Sequence, residues 1–445
     1  MSNKPPRGTE EVEGIASLID TDLYKLTMQC AVLKSYPDVD VTYAYTNRTP
    51  DLKLSRKGFE WIQAQVAKLG RLRLLQAELE FLQNACPYLP KTYLAYLEKF
   101  SFKPDDQLVL TFTPADVGAK GDVRIDIKGK WAETILYEIP LLVLVSEAYF
   151  KFSSTDWNYE GQEEKAFAKG LRLLENGCLV SEFGTRRRRS YHTQELVLNG
   201  LVRAMAHYQK SGGGGGELSG TSNVHFAHRM GLNPIGTIAH EWFMGIAAIT
   251  SDYTRANEIG LRQWIDCFGE GVLSITLTDT FGTPHFLRNF ASEYPPSGKP
   301  YAEIFAGVRQ DSGDPEVFVK CMRRFYDVQG IKSKKIIVFS DSLDVDLCLK
   351  YKEFAEREGF MPSFGIGTFL TNDFAHLGNP GRKSWPLNIV VKINSANGKP
   401  AVKISDNISK NTGDRATVER VKQELGYVER EWESGDEQSR WGSRA

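Results

Sequence analysis

The sequence predicts an α/β protein whose second half forms a barrel. Short β-rich runs recur in that half, and several of the segments between them have the apolar spacing of helices. Strand, helix and strand at separations of about 20 residues predict parallel pairing through crossover helices. Because six such runs occur and polar residues gather where they end, a barrel is favoured over a short open sheet.

The composition is that of an ordinary globular protein. The chain has 445 residues, with 55 Lys and Arg against 56 Asp and Glu, so its net charge is -1 at pH 7. A dedicated nucleic-acid-binding protein usually carries a basic excess, so nucleic acid is not an expected partner. No apolar stretch reaches the roughly 18 residues of a membrane span, and the polar N-terminus is not a signal peptide. We therefore expect a cytoplasmic protein without membrane association, with a nuclear pool left open.

The first third of the chain is expected to contain both strands and helices. Residues 1–14 are polar, contain two prolines and predict a disordered lead-in, and residues 15–150 are predicted to form an N-terminal mixed α/β domain. Pro140 is expected to interrupt the last helix of this domain. The expected strands are Val41–Arg48, Asp106–Phe112 and Asp122–Ile127, and the expected helices are Phe59–Gly70, Arg71–Asn84 and Ala132–Phe150.

Residues 151–385 are predicted to form the barrel. Helical spacing occurs at Pro315–Tyr326 and Val345–Glu358. In α/β barrels the active site lies at the carboxyl ends of the strands, so the residues directly after each strand are the candidates. The expected strands are Leu179–Glu182, Pro234–Ala239, Val272–Thr278, Glu303–Val308, Lys335–Phe339 and Ser363–Ile366.

Residues 386–445 are predicted to add a hairpin and a terminal helix. The segment Leu387–Asp406 has the pattern of a hairpin, with Asn397 and Gly398 as its turn. The tail from about Glu419 is a charged helix that fades into disorder. Upstream, Gly212–Gly216 lacks the Lys-Ser/Thr of a phosphate-binding loop, so a mobile connection is expected there.

Arginines, acids, a histidine and glycine turns follow the predicted strands, which is the set of residues that a phosphorylated substrate requires. Arginine offers bidentate donors to phosphate oxygens, and glycine turns let backbone N–H groups approach closely. Asp311 and Asp314 are either turn or cap residues or ligands of ribose or magnesium. The positions are Glu182–Gly184, Arg186–Arg189, Gly220–Asn223, His240–Glu241, Asp279, Arg309–Asp314, Ser340–Asp341 and Gly365–Thr368.

Several of these features also have a simpler structural explanation. Four consecutive arginines commonly form a solvated face, and in an extended chain at most two of them reach one ligand. His240 and Glu241 do not begin an H-E-x-x-H motif, because Met244 stands where the second histidine belongs, so a zinc protease is excluded. His225 and His228 could share a helical face, but no third ligand is evident, so no metal held by the protein alone is predicted. The six cysteines stand singly and are expected to be reduced thiols.

Eight ordered motifs resemble the nicotinate phosphoribosyltransferase family. The resemblance extends from about residue 15 to residue 425, and such an ordered set is far more specific than any single motif. The motifs are Asp20–Gln29 (DTDLYKLTMQ), Ser181–Ser190 (SEFGTRRRRS), Gly220–Asn223 (GTSN), Gly236–Trp242 (GTIAHEW), Leu277–Thr283 (LTDTFGT), Gly307–Pro315 (GVRQDSGDP), Val338–Asp344 (VFSDSLD) and Phe364–Thr371 (FGIGTFLT).

The resemblance implies an irregular TIM-like α/β barrel beside an N-terminal mixed α/β domain that the C-terminal segment completes. It also implies a homodimer whose active sites are shared between subunits. The implied reaction joins nicotinate to 5-phosphoribosyl 1-diphosphate, gives nicotinate mononucleotide and diphosphate, and uses magnesium on the phosphates. ATP hydrolysis is coupled to it through transient phosphorylation of His240, and the product leads to NAD.

The resemblance also assigns roles to individual residues. His240 is the expected phosphohistidine, Asp279 is expected to orient its imidazole, and Glu241 beside it is a further catalytic candidate. The pyridine ring is expected to stack on Phe183, with Tyr24 contributed by a partner subunit. The other assignments are Arg186 and Arg309 for the carboxylate of nicotinate and the phosphates, Asp311 for the ribose hydroxyls, and Ser340, Asp341, Gly367 and Thr368 for the 5′-phosphate.

Thr221 and Ser222 are predicted to contact the substrate. Relatives that use nicotinamide carry an aspartate where this chain has Ser222, and an aspartate would accept a hydrogen bond from an amide and repel a carboxylate. Serine removes that repulsion, so nicotinate is favoured. Nicotinamide phosphoribosyltransferase is the nearest alternative.

Two other classes of protein remain open on the residues alone: a different barrel enzyme, either an aldolase or a hydrolase, and a non-enzymatic sensor. A barrel aldolase would need a lysine at the end of a strand, but Lys334 and Lys335 stand at the start of theirs. A hydrolase acting on a phosphorylated sugar could use Asp279 and Asp311, but the arginines would then have no role. A non-enzymatic sensor built on a degenerate barrel predicts an incomplete set of site residues, whereas here His240 and both aspartates are present.

Overall fold

The computed structural model describes residues 12–115, 120–236, 238–407 and 411–428. Most of the predicted lead-in over residues 1–14 and the end of the charged tail therefore lie outside the described residues. The α-helices are α1 (Leu23–Ser35), α2 (Arg56–Leu69), α3 (Gln76–Ala85), α4 (Lys91–Lys99), α5 (Pro104–Gln107), α6 (Trp131–Thr134), α7 (Glu138–Phe152), α8 (Gln162–Glu175), α9 (Tyr191–Lys210), α10 (Val224–Met230), α11 (His240–Thr250), α12 (Ala256–Phe268), α13 (Thr283–Phe290), α14 (Tyr301–Ile304), α15 (Pro315–Val328), α16 (Val345–Arg357), α17 (Thr368–Thr371) and α18 (Arg415–Leu425).

The strands form one antiparallel sheet, one parallel sheet and two short pairs. Helices and strands are thus mixed throughout the chain, as predicted. The strands are β1 (Asp40–Asn47), β2 (Leu54–Ser55), β3 (Leu108–Pro114), β4 (Lys120–Lys130), β5 (Leu179–Glu182), β6 (Glu217–Thr221), β7 (Ile275–Leu277), β8 (Glu293–Tyr294), β9 (Lys299–Pro300), β10 (Gly307–Gln310), β11 (Ile336–Phe339), β12 (Met361–Ile366), β13 (Phe374–Ala375), β14 (Lys383–Ser384), β15 (Ile389–Ala396) and β16 (Lys399–Pro400).

The antiparallel sheet joins the two ends of the chain. Its order is β16-β15-β1-β4-β2, with β3 on β4, and β15 pairs with β1 from Val41 to Asn47. Alternate residues of β1 are buried, which fixes the face that it turns to the core. The hairpin between β15 and β16 turns at Asn397 and Gly398, whose φ angles of 47° and 74° suit a type I′ turn. The predicted hairpin is therefore confirmed.

The parallel sheet has the order β6-β5-β12-β11-β10-β7, and every neighbouring pair in it is parallel. The carboxyl ends of its strands consequently lie along one edge. Four predicted runs correspond to β5, β7, β11 and β12, and the predicted helices after β10 and β11 are α15 and α16. Parallel strands connected by helices are thus confirmed for the second half of the chain.

Two predicted strands are wrong. Among the described residues of the run Pro234–Ala239, only Pro234 makes a bridge, to Thr221, and the place beside β5 belongs to β6. In the run Glu303–Val308, helix α14 occupies the first part and the strand begins only at Gly307. A short apolar run does not distinguish a strand from a helix or a buried connection, which explains both errors.

Helix α7 forms the centre of the core, since its residues from Glu138 to Phe150 are all buried. Pro140 lies in its first turn, where the missing N–H removes no helical hydrogen bond, so the helix is not interrupted there. The break falls earlier, at a short 3-10 helix over Ile135–Tyr137. Within the described ranges, no helix is long and apolar enough to cross a membrane.

Candidate active site

A cavity of 270 Å³ lies at the carboxyl edge of the parallel sheet. Side chains within or directly after each strand of that sheet line it, and β15 of the antiparallel sheet closes another side. Two predicted site residues, Thr221 and Asp279, lie outside its lining. The predicted residues that line the cavity are Tyr24, Phe183, Arg186, Ser222, His240, Glu241, Arg309, Asp311, Ser340, Asp341, Gly367 and Thr368.

His240 is the first residue of α11 and is only 5% exposed. Its Nδ1 lies 3.1 Å from the hydroxyl of Thr280, and its Nε2 lies 2.9 Å from both Oδ2 of Asp311 and Nζ of Lys403. Burial and the Lys403 ammonium lower the pKa of His240 to about 4, despite the neighbouring carboxylates. The imidazole is therefore neutral at physiological pH, as a nitrogen nucleophile must be.

The resemblance implied that Asp279 orients the imidazole of His240. In the structure, however, Asp279 does not hold the second N–H of that ring. Its Oδ1 lies 3.6 Å from Nε2, whereas the hydroxyl of Thr280 faces Nδ1. Adjacent residues project from different sides of an extended chain, so only one of the two faces that nitrogen. Asp279 instead accepts hydrogen bonds from Ser312 at 2.6 Å and pairs with Lys403 at 3.0 Å. Burial opposes ionisation, but Lys403 and His240 outweigh it and lower the pKa of Asp279.

Arg309, Asp311 and Ser340 form a hydrogen-bonded unit at the ends of β10 and β11. Arg309 donates to Oδ1 of Asp311 at 2.7 Å and to the hydroxyl of Ser340 at 2.8 Å, and that hydroxyl donates to Asp311 at 3.0 Å. Burial opposes ionisation of Asp311, but Arg309 and His240 outweigh it and hold its pKa well below the usual range. A negative carboxylate therefore lies beside the neutral imidazole.

Phe183 and Tyr24 supply aromatic side chains to the same cavity. A Cβ at Gly365 would lie 2.3 Å from the ring of Phe183, so glycine leaves the room that this ring needs. Tyr24 lies in α1 and donates to Glu138 at 3.3 Å. The resemblance assigned Tyr24 to a partner subunit, but here Tyr24 of the same chain lines the cavity, because α1 packs next to the parallel sheet.

The arginine run divides between the cavity and the core. Among the described residues, the Arg186 side chain makes no hydrogen bond or ion pair, and its guanidinium faces the cavity. Burial lowers the pKa of Arg186, but the neighbouring Tyr24, Glu138, Asp311 and Asp22 outweigh it and raise that pKa. Arg188 is fully buried and makes a bidentate ion pair with Asp20 at 2.8 and 2.9 Å, and Arg189 stacks 3.8 Å from the ring of Phe150. Only Arg186 and Arg187 line the cavity. The alternative prediction, that the four consecutive arginines form a solvated face, is therefore wrong.

Thr221 and Ser222 have different positions. Thr221 donates to the buried Glu182 at 2.6 Å and faces away from the cavity, so the predicted substrate contact is not made by its side chain. Ser222 lines the cavity and donates to Asp22 at 2.8 Å. Burial raises the pKa of Asp22, and this carboxyl also lines the cavity. An acid is therefore present beside Ser222 that the sequence argument did not consider.

The sequence argument missed three cations at this site. Arg48, Lys392 and Lys403 line the cavity beside Arg186, and the two lysines come from the C-terminal hairpin and the chain after it. Burial, together with the charges of Lys403, Arg186 and Arg48, lowers the pKa of Lys392 to about 7, although Glu138 opposes this. The two lysines are spaced as lysines could be in any hairpin. No sequence pattern therefore distinguished these three cations as site residues.

Glu241 lines the cavity, but its oxygens are already engaged. Oε1 accepts from Tyr43 at 2.6 Å and from Trp131 at 2.8 Å, and Oε2 accepts from Lys25. A carboxylate that receives three such donors is poorly placed to transfer protons to a substrate. This geometry argues against the catalytic role that was predicted for Glu241.

The donor set beside His240 is compatible with a divalent cation that arrives on a phosphate. Ligand atoms of His240, Asp279 and Asp311 lie within 4.8 Å of one another, and Oδ1 of Asp279 is buried without a hydrogen-bond donor among the described residues. Carboxylate oxygens suit magnesium. The ammonium of Lys403 already lies 2.9 Å from His240 and 3.0 Å from Asp279, so it competes with an ion held by the protein alone.

Known proteins match this chain over most of its length. Residues 19–146 match the N-terminal domain of the nicotinate phosphoribosyltransferase (NAPRTase) family, and residues 178–429 match the NAPRTase family itself. A protein of Schizosaccharomyces pombe named "Probable nicotinate phosphoribosyltransferase" is 48% identical over 412 residues, which are 92% of this chain and 98% of that protein. The nicotinate phosphoribosyltransferase of Saccharomyces cerevisiae is 46% identical over 435 residues, or 96% of this chain and 99% of that protein.

Solved structures agree with these matches. A crystal structure of a "putative nicotinate phosphoribosyltransferase" from Saccharomyces cerevisiae superposes with a TM-score of 0.90 at 45% identity and covers 94% of this chain and 100% of that one. The nicotinate phosphoribosyltransferase of Porphyromonas gingivalis superposes with a TM-score of 0.82 at 33% identity and covers 93% of this chain and 100% of that one. The chain belongs to the nicotinate phosphoribosyltransferase family.

Proposed function

We propose that this chain is a nicotinate phosphoribosyltransferase that joins nicotinate to 5-phosphoribosyl 1-diphosphate and couples the reaction to ATP through His240. The family assignment supports the transfer reaction. One observation carries the proposal for this chain: a single cavity contains the ring of Phe183, the unpaired guanidinium of Arg186 and a buried, neutral His240. These groups suit an aromatic carboxylate and a phosphoryl group in one place.

In the transfer step the pyridine nitrogen of nicotinate bonds to C1 of the ribose, and diphosphate leaves with the electrons of the broken C–O bond. The nucleophile belongs to the substrate, so the protein positions the reactants and excludes water. Phe183 and Tyr24 would hold the ring, and Arg186 the carboxylate. Arg48 and Lys392 would hold phosphate oxygens, because their charges face the same cavity.

In the coupled step Nε2 of His240 bonds to the γ-phosphorus of ATP, and ADP leaves. This requires the imidazole proton to be on Nδ1, where the N–H donates a hydrogen bond to the hydroxyl of Thr280 at 3.1 Å. Lys403 lies against Nε2 and would follow the transferred phosphoryl group as its counter-charge. Asp279 and Asp311 are the carboxylates that would hold magnesium, which would arrive on the substrate phosphates and neutralise part of their charge.

The remaining structural expectations are part of the same proposal. We propose that the parallel sheet is part of an irregular TIM-like barrel. The convergence of residues from all its strands on one cavity supports this proposal. Domain bounds of 15–150, 151–385 and 386–445, a homodimer and a cytoplasmic location are also proposed. Ser340, Asp341, Gly367 and Thr368 line the cavity and are the proposed site of the 5′-phosphate.

The experiment that tests the proposal measures nicotinate mononucleotide formation by the purified protein with 5-phosphoribosyl 1-diphosphate and magnesium, with and without ATP. Wild type is compared with His240→Ala and with His207→Ala, which removes an exposed histidine outside the cavity. We expect ATP to stimulate wild type and the His207 variant but not the His240 variant. Stimulation that survives in His240→Ala would show that another group takes the phosphoryl.

A parallel reaction with nicotinamide separates the two nearest functions. Asp22 beside Ser222 is the one observation that favours nicotinamide, because a carboxyl accepts from an amide. The unpaired guanidinium of Arg186 favours nicotinate, because it pairs with a carboxylate. Product from nicotinate alone supports the proposal, whereas product from nicotinamide alone means that Asp22 sets the specificity and the proposal is wrong.

A further inference from the structure

A buried series of interacting side chains connects two parts of the proposed active site. Lys25, whose side chain is completely buried, pairs with Glu138 at 2.5 Å and also with Glu241. Tyr24 precedes Lys25 in α1 and donates to the same Glu138. His240 precedes Glu241 in α11. The chain Tyr24–Glu138–Lys25–Glu241, which we term the Lys25 bridge, thus begins at the aromatic side of the cavity and ends beside the phosphorylated residue.

Glu241 also connects the bridge to two other segments of the chain. The other oxygen of Glu241 accepts from Tyr43 of β1 and from Trp131 of α6, at 2.6 and 2.8 Å. Segments that are far apart in the sequence therefore meet at one carboxylate in the first turn of α11. Weakening a buried ion pair is unfavourable, so a movement of Glu241 disturbs Lys25, which holds both Glu241 and Glu138.

We propose that the Lys25 bridge couples phosphorylation of His240 to the binding of nicotinate, with Glu241 and Lys25 as positioning residues. The inference rests on the proposed function, because it concerns how ATP used at His240 affects the aromatic side of the same cavity. A phosphoryl group on Nε2 adds up to about two negative charges and draws Lys403 away from Asp279. The first turn of α11 adjusts to that charge, and Glu241, Lys25 and Glu138 transmit the shift to the hydroxyl of Tyr24.

Glu241→Gln is the variant that tests the role of the Lys25 bridge most directly. A glutamine of the same shape keeps an oxygen for Tyr43 and Trp131 but turns an NH2 group toward the Lys25 ammonium, so only the bridge is broken. Tyr43→Phe is the matched control, because it removes a donor from the same carboxylate and leaves Lys25 in place. Lys169→Met is a second control, since it breaks the buried pair between Lys169 and Asp373 at 2.7 Å outside the cavity.

The readout is the KM for nicotinate with and without ATP, together with phosphohistidine on the protein and the melting temperature. If the bridge couples the two events, ATP should lower the KM of wild type for nicotinate by about fivefold or more, which is a typical coupling factor. We expect Glu241→Gln to form phosphohistidine but to show little of this decrease. Both controls should keep the wild-type ratio of KM values. A merely structural role would lower the melting temperature and leave that ratio unchanged.

A second variant covers the case in which Glu241→Gln does not fold. Tyr24→Phe keeps the ring but removes the hydroxyl that reaches Glu138, and it should also reduce the ratio of KM values. If the folded variants keep the wild-type ratio, the bridge does not carry the coupling and the inference is wrong. If wild type itself forms no phosphohistidine and shows no ATP effect, the ATP part of the proposed function fails first, and the inference falls with it.

Discussion

The protonation state of His240 depends on single charged side chains within 3 Å of its ring. Burial and Lys403 lower its pKa to about 4, which keeps the imidazole neutral at all pH values well above that. Replacing Lys403 with methionine removes the cation and leaves Asp279 and Asp311, which favour the protonated form. We expect the pKa of His240 to rise by about one unit or more in Lys403→Met, as measured by NMR titration of its imidazole nitrogens.

The same shift has a consequence for stability. Because the folded pKa of His240 lies below its unfolded value, the unfolded chain binds the extra proton between about pH 4 and the ordinary value near 6.5, and stability rises with pH in that window. Because Lys403→Met is expected to raise the folded pKa of His240, the pH range in which stability rises with pH should become narrower. Lys399→Met, a change at an exposed lysine of the same hairpin, is the control and should leave the titration unchanged. An unaltered pKa in the Lys403 variant would mean that burial alone sets it.

Ser222 gives a prediction about substrate choice. Its hydroxyl donates to Asp22 at 2.8 Å, so an aspartate at position 222 would place two carboxyls side by side in the cavity. We expect Ser222→Asp to lower kcat/KM for nicotinate by about 10- to 100-fold, because a second carboxylate repels that of the substrate. Ser222→Ala should cost far less, since it only removes a hydrogen bond. An equal loss in both variants would show that the hydroxyl matters more than the charge.

At the scale of elements, strand β15 brings a titrating cation to the cavity. Burial and neighbouring cations lower the pKa of Lys392 to about 7, so its ammonium is lost as the pH rises through neutrality. We expect the affinity for 5-phosphoribosyl 1-diphosphate to fall by several-fold between about pH 6.5 and 8.5, as followed by calorimetry. Lys392→Arg keeps its charge and should show a flatter profile. A wild-type profile as flat as that of the arginine variant would contradict the role of Lys392.

The elements also show how far the sequence could be interpreted. Apolar alternation correctly predicted β1, β3, β4 and the C-terminal hairpin, because their buried faces have the period of a strand. The same alternation could not reveal that Lys403 of the chain after that hairpin reaches His240, 163 residues away. Nor could it separate Arg186, which faces the cavity, from Arg188, which a buried aspartate holds. Most of the site residues predicted from the sequence line the cavity, but hydrogen-bond partners depend on packing between distant segments.

At the scale of the whole molecule, one chain supplies every group of the proposed site. Tyr24 of α1, Arg309 of β10 and Lys392 of β15 line the same cavity, because β15 pairs with β1 and so joins both ends of the chain. The resemblance had implied that subunits share their active sites. If each chain instead builds its own site, combining two chains that lack different site residues cannot restore activity.

Co-expression of Tyr24→Ala and Arg309→Ala chains with different affinity tags tests this directly. We expect material that carries both tags to be as inactive as either variant alone, because each chain then has its own defective cavity. With sites shared between subunits, every heterodimer would keep one intact site, and a random mixture would regain about a quarter of the wild-type activity. Co-expression of wild type with either variant is the control for active heterodimers. Recovery in the doubly tagged fraction would mean that Tyr24 serves the cavity of a neighbouring chain.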